Sequence, residues 1–285
     1  MTTDPPLSPT PLPRGERGFP EGAGVPPSPL VGEGRGEGAS TPTDVHLLLD
    51  VDVLKDVEQG RVPAMVARRE KFVALRQQAL QMVRDEGLLD ARACWRIAAL
   101  RGEPGATGWL ELEGGRLEAP WLVPASGQLT GAACAVATVG DAIEQRIGAL
   151  FAERRASLAV ALDGVANELL FALSRRVQDR LLAAMRKQGL CVAGELRAGD
   201  PGLALKAQQV VLDLAGAEQI GVRLTSTLMM NPTKSISIVQ GVGLDLPPQA
   251  WSRCDSCRSR ERCALVKDPA FRAAGSMPIE AQGAA

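Results

Sequence analysis

The chain has no tyrosine and a single histidine, His46, among its 285 residues. A Ser-His-Asp triad or a zinc site with several histidines could therefore be assembled only around His46. His46 lies close to the start of the segment that we expect to fold. We interpret it as an ordinary surface residue. The composition thus removes a whole group of catalytic mechanisms.

An excess of charge of one sign and long apolar runs are also missing. The formal net charge is −1, which argues against a general binder of nucleic acid or of anionic membranes. The N-terminus lacks the apolar core of a secretory signal. The most apolar stretch is interrupted by Asp163, Asn167 and Glu168, whereas a membrane span needs about 18 apolar residues in sequence. We therefore expect a cytoplasmic protein with no nucleic acid and no membrane among its partners.

Residues 1–44 differ in composition from the rest of the chain. They hold half of the 20 prolines and contain the near-repeat PLPRGERG and PLVGEGRG. Such a segment cannot bury enough apolar surface to offset the entropy of ordering, so we predict that it is disordered. A proline-rich docking ligand and a translated intergenic repeat upstream of the true start are the alternatives.

From residue 45 onward the apolar residues follow the periodicity of a folded domain, which we expect to extend to residue 250. Spacings of three and four residues predict an amphipathic helix over 63–87. A long, largely buried helix is expected from Ser157 to a closing glycine, Gly189. Two further helices are predicted, one with Asp141 as its N-cap and one over 203–215.

Strands and two hairpins are predicted between these helices. Gly114-Gly115 lies at the centre of one hairpin, over residues 108–120. Residues 222–230 and 234–244 are expected to form the second hairpin, with Pro232 confined to its turn. Single strands are predicted over residues 91–100, 132–140 and 190–198. This mixture indicates an α+β domain with a largely antiparallel, twisted sheet and flanking helices.

Three blocks of sequence follow one another in the order and spacing of a known family. They are ACAVATVGDAIEQRI, LAVALDGVANELLFALSRRV and IGVRLTSTLMMNPTKSISIVQGVG. The blocks resemble the segments A-T-I-G-x-x-x-E, L-D-A-x-G-x-x-x-V-E and L-T-E-S-x-M-M-x-P-x-K-S-(V/I)-S. These segments are typical of the activation domain of vitamin B12-dependent methionine synthase, and more closely of stand-alone bacterial and archaeal proteins built on that domain. The resemblance covers about residues 90–265 and implies an activation-domain-like fold.

The resemblance implies a ligand and a partner. The family's domain binds S-adenosylmethionine in a shallow groove and presents the methyl group to an oxidised corrinoid. The partner would therefore be a corrinoid protein or a B12-dependent methyltransferase. In the family pattern, an R-x-(S/A)-P-G-Y loop and an acidic residue on the long helix contact the ligand. An arginine suits the ligand's carboxylate, an acid suits its ammonium, and glycine lets the backbone approach closely.

This chain departs from the family pattern at that loop. Counting back from LTSTLMM without gaps places the loop on ELRAGD, where Gly199 matches the glycine. Glu195 then stands at the arginine position and Asp200 at the tyrosine position. A small shift restores Arg197 as the carboxylate clamp. We predict Arg197, Gly199 and Glu168 as ligand contacts, with Glu168 as the ammonium partner; its alternative role is that of a helix-surface carboxylate.

The stretch CDSCRSRERC places Cys254, Cys257 and Cys263 at C-x2-C-x5-C spacing. Thiolates at this spacing can share one metal, although a structural zinc site and an iron–sulfur cluster both usually take four ligands. The fourth ligand could be external or come from one of the cysteines that otherwise suit a buried core. These cysteines are Cys94, Cys134 and Cys191.

Some stand-alone relatives carry a similar cysteine tail. The resemblance therefore favours an iron–sulfur cluster, most simply of the four-iron, four-sulfur type, over residues 251–285. Zinc, unligated thiols and a redox C-x-x-C pair are the alternatives, because a reducing cytoplasm disfavours structural disulfides.

Three functions follow from these observations. The first is an accessory protein for the reductive activation of a corrinoid methyltransferase such as methionine synthase, in which the tail cluster passes an electron to the corrinoid. The second is a reactivation domain that binds S-adenosylmethionine and acts in trans, with a merely structural tail. The third is a non-catalytic interaction module with a zinc knuckle. Whether the chain is itself an enzyme is left open by the sequence.

Overall fold

The computed structural model describes residues 44–60, 62–105 and 107–247, without the side chains of Ala64 and Met65. All of these residues belong to one unit of the chain. The proline-rich segment up to residue 43 and the tail with Cys254, Cys257 and Cys263 lie outside the described residues. The predicted boundaries at residues 44 and 250 therefore stay predictions, as do the disorder and the metal site.

Nine strands are present in the described part of the chain, and every ladder between them is antiparallel. In chain order they are β1 (His46–Leu48), β2 (Arg92–Ala99), β3 (Trp109–Leu112), β4 (Gly115–Glu118), β5 (Gln128–Thr138), β6 (Cys191–Leu196), β7 (Arg223–Leu224), β8 (Met230–Asn231) and β9 (Ser235–Leu244).

Five of these strands form the central sheet, in the order β1-β2-β5-β9-β6. The middle strand β5 is rich in alanine and is buried on both faces, and β9 is buried over almost its whole length. Two buried faces explain why these segments appear in the sequence as continuous apolar runs. The edges of the sheet are β1 and β6, the two strands with one neighbour each.

Helices pack on both faces of the sheet. They are α1 (Leu54–Gln59), α2 (Ala64–Ala67), α3 (Glu70–Asp85), α4 (Ala142–Ala152), α5 (Ala156–Lys187) and α6 (Gln208–Ala215). One core lies between the sheet and α1, α3, α4 and α5. A second core lies on the opposite face, under the hairpin β3–β4 and helix α6. The predicted α+β class, with a largely antiparallel sheet and flanking helices, is confirmed.

The long helix α5 is the main element of the first core. It runs from Ala156 to Lys187, within one residue of the predicted start, and Gly189 follows it with a left-handed φ of 71°. By length and composition α5 could cross a membrane, although its most apolar window is half buried inside the protein. The core helix of a soluble protein passes the same test, so this property does not identify a membrane span.

The helix predicted over 63–87 is present but interrupted. Arg69 has an extended backbone, with φ −141° and ψ 125°, and this conformation separates α2 from α3. Helix α3 keeps the amphipathic pattern, with Ala79, Leu80 and Val83 buried. The first hairpin, β3–β4, is also confirmed, with Gly114 at a φ of 95° in its turn.

One local prediction was wrong, and a second was confirmed only in its position. Residues 222–230 do not pair with 234–244, because β9 lies between β5 and β6 and its hydrogen bonds are already used there. Strand β7 pairs instead with β8 in a two-residue ladder, and Pro232 follows β8 in the turn that leads to β9. Asp141 is the N-cap residue of α4, as predicted, but its side chain makes no capping hydrogen bond. Its carboxylate instead accepts a hydrogen bond from the side chain of Gln145 at 2.9 Å.

Candidate functional site

A tight loop follows the edge strand β6 and carries two of the predicted ligand contacts. We call residues 197–203 the edge loop. The carboxylate of Asp200 accepts a hydrogen bond from the backbone N–H of Arg197 at 2.9 Å, and the N–H of Asp200 donates to the carbonyl of Arg197 at 2.8 Å. Asp200 therefore holds the loop closed.

Gly199 and Gly202 both need to be glycine, for different reasons. Gly199 has a φ of 97°, yet a Cβ there would meet nothing closer than the Leu205 side chain at 3.9 Å. Gly202 has a φ of 86°, and a Cβ there would lie 2.6 Å from the ring of Trp121. Conformation alone requires the first glycine, whereas the second also allows the loop to approach a tryptophan closely.

The sequence prediction missed Gly202, although a signal for it was present. Pro201-Gly202 reproduces the P-G pair of the R-x-(S/A)-P-G-Y pattern when Arg197 is the arginine and one extra residue is inserted. In that register Leu203 takes the place of the tyrosine, and its side chain is buried in the second core. The insertion is therefore the small shift that brings Arg197 into the pattern.

Arg197 is held between an aromatic ring and a carboxylate. Its guanidinium lies 5.8 Å from the centre of the Phe171 ring on α5, and its Nη2 donates to Oε1 of Glu195 at 3.2 Å. The two paired side chains are 19% and 17% exposed. An arginine fixed in this way presents its planar N–H groups with little loss of side-chain entropy when an anion binds.

Phe171 also stands where the family pattern has its acidic residue. Counting along L-D-A-x-G-x-x-x-V-E from Leu162-Asp163 brings the final position to Phe171 and not to Glu168. The structure places this ring directly beside Arg197. The helix therefore contributes a ring face to the edge loop at the position where the pattern supplies a carboxylate.

Glu168, the predicted ammonium partner, has a partner within the protein. Arg76 of α3 donates to its carboxylate from Nη2 at 2.6 Å and from Nε at 3.0 Å, and the same Nη2 donates to the carbonyl of Val57 at 2.8 Å. The Arg76 and Glu168 side chains are 6% and 11% exposed. Glu168 is thus not a helix-surface carboxylate, and any ligand ammonium would have to compete with a buried arginine.

Gln240 is a second polar group that the sequence prediction did not single out. It lies on β9, is 9% exposed, and its Oε1 has no hydrogen-bond partner among the described residues. Its neighbours two positions away, Ile238 and Val242, belong to the first core, so its side chain faces α5. A buried carbonyl without a donor costs about 1–3 kcal/mol.

The register of β6 against β9 places Gln240 beside the edge loop. Ala193 pairs with Gly241 and Leu196 pairs with Val239, so the irregularity between them leaves Gly194 and Glu195 opposite Gln240. Arg197 follows on the same edge and faces the same helix through Phe171. One arginine, one carboxylate and one unsatisfied amide carbonyl therefore occupy neighbouring positions at this edge of the sheet.

The three sequence blocks meet at a different place, the turn before β9. Lys234 Nζ donates to Asp163 at 2.7 Å and to Asn167 at 2.9 Å, and both acceptors lie on α5. The backbone N–H of Thr233 donates to the carboxylate of Glu144 on α4 at 3.3 Å. We call these five residues the Lys234 cluster. Each block contributes to it, because Glu144, Asp163 and Lys234 belong to the first, second and third block.

The described cysteines differ in their surroundings. Cys94 and Cys134 are fully buried, and burial raises the pKa of both thiols to about 12. Cys191 is exposed on the edge strand β6. Within the described ranges, no group of three or more histidine, cysteine, aspartate or glutamate residues is arranged to hold a metal ion.

His46, interpreted above as an ordinary surface residue, is partly buried. Its ring stacks on that of Trp95, with centroids 3.9 Å apart, and burial lowers its pKa below the ordinary value. The carboxylate of Asp44 acts in the opposite sense and raises the pKa, but the effect of burial is larger.

Comparison with known proteins supports the fold. No protein-family model and no curated protein matches the chain. The structure is similar to the crystal structure of the MetH reactivation domain bound to AdoHcy, with a TM-score of 0.52 and 15% sequence identity. The alignment covers 79% of this chain and 89% of the MetH chain. The predicted activation-domain-like fold is therefore confirmed, whereas at this identity the ligand contacts have to be argued from the residues present.

Proposed function

We propose that this protein takes part in the reductive reactivation of a corrinoid-dependent methyltransferase and acts in trans on that partner. The observation that carries the proposal is the fold, which matches most of a reactivation domain solved with AdoHcy. The edge loop adds the chemistry, because Arg197, Glu195 and Gln240 lie at neighbouring positions of one sheet edge. The order of the three sequence blocks supports the same family.

The ligand that fits this edge is S-adenosylmethionine. Its carboxylate suits the guanidinium of Arg197, since charge-assisted pairs of this kind are among the stronger hydrogen bonds. Its ammonium suits the Oε1 of Gln240, a buried acceptor without a partner in the described structure. Gln240 thus replaces Glu168 as the ammonium partner, because Arg76 occupies the carboxylate of Glu168, while Glu195 pairs with Arg197 and holds it in place.

The reaction needs a methyl group and one electron. One electron reduces cob(II)alamin to cob(I)alamin, and transfer of the methyl cation from S-adenosylmethionine then gives methylcob(III)alamin and S-adenosylhomocysteine. The chain would present the methyl donor, while an external one-electron reductant supplies the electron. We propose that the tail cysteines Cys254, Cys257 and Cys263 hold an iron–sulfur cluster that relays it.

Calorimetric titration tests the ligand. We expect both S-adenosylmethionine and S-adenosylhomocysteine to bind the full chain, and S-adenosylmethionine to promote methylcobalamin formation on an oxidised corrinoid methyltransferase. Absence of binding by both ligands would remove the proposed methyl-donor role.

Anaerobic purification tests the cluster separately. A broad absorbance near 400 nm that bleaches with dithionite, together with iron and acid-labile sulfide, would support an electron relay. A colourless protein with stoichiometric zinc would favour the interaction module with a zinc knuckle. Either outcome leaves the calorimetric result independent, because the edge loop and the tail are tested by different measurements.

A further inference from the structure

The edge loop carries no aromatic residue of its own, but an aromatic ring packs against it. Residues 197–203 have the sequence RAGDPGL. The ring belongs to Trp121, and a Cβ placed on Gly202 would lie 2.6 Å from it. Trp121 is nevertheless 42% exposed. Part of this large aromatic side chain therefore faces solvent directly beside the edge loop.

The segment that carries Trp121 is held firmly in place. It forms a single helical turn over Pro120–Leu122. Gly108 approaches this turn so closely that a Cβ there would lie 2.4 Å from Pro120, and the side chain of Leu122 is buried in the second core. An aromatic ring on a fixed segment loses little freedom when a ligand packs against it, which favours binding.

Leu205 adds a second exposed apolar side chain beside the same loop. It is 47% exposed, and its Cδ1 would lie 3.9 Å from a Cβ on Gly199. Lys206, the next residue, lies 3.9 Å from the carboxylate of Glu118, three residues before Trp121. The segments that carry the two apolar side chains are therefore neighbours, and both contact the edge loop.

Trp121 and Arg197 lie on opposite sides of the sheet edge. Arg197 faces α5 through Phe171, whereas Leu122, next to Trp121, belongs to the core on the other face. Strand β6 has no further strand on its outer side in the described part of the chain. Arg197 and Gly202 are five residues apart, which is at most roughly 16–18 Å in an extended chain. Hydrogen bonds within the loop shorten this distance, so one extended ligand can cross the open edge and reach both side chains.

S-adenosylmethionine has groups that suit both sides of this edge. Its carboxylate lies at one end of the molecule and its adenine, a flat aromatic base, at the other. Bases stack favourably on aromatic side chains, and tryptophan offers the largest ring for this contact. Phe72 and Phe151, the other exposed aromatic residues of the described chain, lie on α3 and α4. Trp121 is therefore the exposed ring that lies beside the edge loop.

We propose that Trp121 is the surface on which the adenine of S-adenosylmethionine stacks, with Leu205 at the border of the base. This inference rests on the proposed function for the identity of the ligand. It assigns a residue to the nucleoside end, whereas Arg197 and Gln240 bind the amino-acid end. The methyl group then lies between the two ends, at the open edge of the sheet, where a corrinoid partner can approach it.

Two ligands distinguish the two ends in calorimetric titrations of the full chain. Methylthioadenosine has the adenosine part of S-adenosylmethionine but neither its carboxylate nor its ammonium. Trp121→Leu should bind both ligands about 5–150-fold more weakly, which is the range that stacking of a base on an aromatic side chain contributes. Arg197→Ala should weaken the binding of S-adenosylmethionine alone. The matched control is Phe151→Leu, which makes a similar change at a half-exposed ring of α4 and should bind both ligands normally.

Tryptophan fluorescence supplies a second measurement at the residue itself. A base stacked on Trp121 should quench part of the tryptophan emission of the wild-type chain. Trp121→Phe keeps an aromatic ring, so it should keep the fold and most of the affinity but lose this quenching. Thermal denaturation of every variant shows whether weaker binding reflects unfolding.

Two results would overturn the assignment. The first is an affinity of Trp121→Leu for methylthioadenosine equal to that of Phe151→Leu. The second is quenching by the ligand that persists unchanged in Trp121→Phe. Failure of the proposed function looks different: methylthioadenosine would bind through Trp121, while S-adenosylmethionine would not bind or would not support methylation of the corrinoid.

Discussion

The Lys234 cluster and the edge loop both contact helix α5, but their polar groups are used differently. In the cluster, the Lys234 ammonium and the Thr233 N–H each have a partner within the protein. Beside the edge loop, the Oε1 of Gln240 is buried without one in the described structure. The residues of the Lys234 cluster, which match the family pattern, therefore stabilise the packing of α4 and α5 against the turn before β9, while the proposed ligand surface is the part that departs from the pattern.

Glu168 provides the largest test of this comparison, because it was predicted as a ligand contact and the structure pairs it with Arg76. Glu168→Ala leaves a buried guanidinium without its carboxylate, so we expect the free energy of unfolding to fall by about 3–5 kcal/mol. Urea denaturation checks this. In the matched double variant Arg76→Met with Glu168→Leu, most of the loss should be recovered, because no uncompensated charge remains. A Glu168→Ala protein of normal stability that cannot bind S-adenosylmethionine would return Glu168 to the ligand site.

The two glycines of the edge loop distinguish the cost of a left-handed backbone from the cost of a close contact with Trp121. Gly202→Ala forces a Cβ to within 2.6 Å of Trp121 at a φ of 86°. We expect a loss of stability of about 2–5 kcal/mol, the sum of a left-handed alanine and an overpacked contact. Gly199→Ala meets no close neighbour and should cost only about 1–2 kcal/mol. Equal losses for the two variants in thermal denaturation would show that the contact with Trp121 contributes nothing.

Arg197 tests the edge loop as a ligand site. Arg197→Ala should weaken S-adenosylmethionine binding roughly 10–100-fold, because a charge-assisted hydrogen bond contributes about 1.5–3 kcal/mol. The matched control is Arg116→Ala, which removes another arginine that lies over an aromatic ring, 4.1 Å from Trp109, and pairs with a carboxylate, Glu111. Calorimetric titration of both variants with S-adenosylmethionine measures the difference. An equal affinity of the two variants would show that the ligand's carboxylate does not bind Arg197.

Lys234 tests whether the Lys234 cluster contributes to stability and not to ligand binding. Lys234→Met removes hydrogen bonds to Asp163 and Asn167, and we expect a loss of about 1.5–3 kcal/mol in stability, reduced by the exposure of Asp163. Ligand affinity measured well below the melting temperature should be unchanged. A selective loss of S-adenosylmethionine binding in a stable Lys234→Met protein would instead make the cluster part of the ligand site.

Gln240 gives the smallest effect on stability. Gln240→Leu replaces an unsatisfied buried carbonyl by an apolar group of similar size, so the protein should become about 1 kcal/mol more stable. The same change should weaken ligand binding, because the proposed acceptor for the ammonium is lost. Gain of stability without loss of affinity would show that the buried carbonyl is only a packing defect.

The sequence predicted elements well wherever local signals agreed. The periodicity of α3 and α5, the strand character of β2 and β5, and the Gly114-Gly115 turn each arise from neighbouring residues. The second hairpin failed because β9 forms its ladders with β5 and β6, strands far away along the chain. For the proposed ligand site, Arg197 was predicted, and Gly202 and Phe171 were missed although the family pattern points to both positions. Gln240 emerged only from the burial and register of β9.

The sequence alone was enough to predict the class of fold and the resemblance carried by the three blocks. The spacing of apolar residues, the turn glycines and short motifs are local properties of the chain. Only the tertiary structure decided what the polar residues do. It pairs Glu168 with Arg76 and Lys234 with Asp163, and it places the ring of Phe171 beside Arg197. It leaves the side-chain carbonyl of Gln240 without a donor among the described residues. A side chain's partner depends on which distant segments pack beside it, and strand register and helix packing fix that arrangement only after the chain has folded.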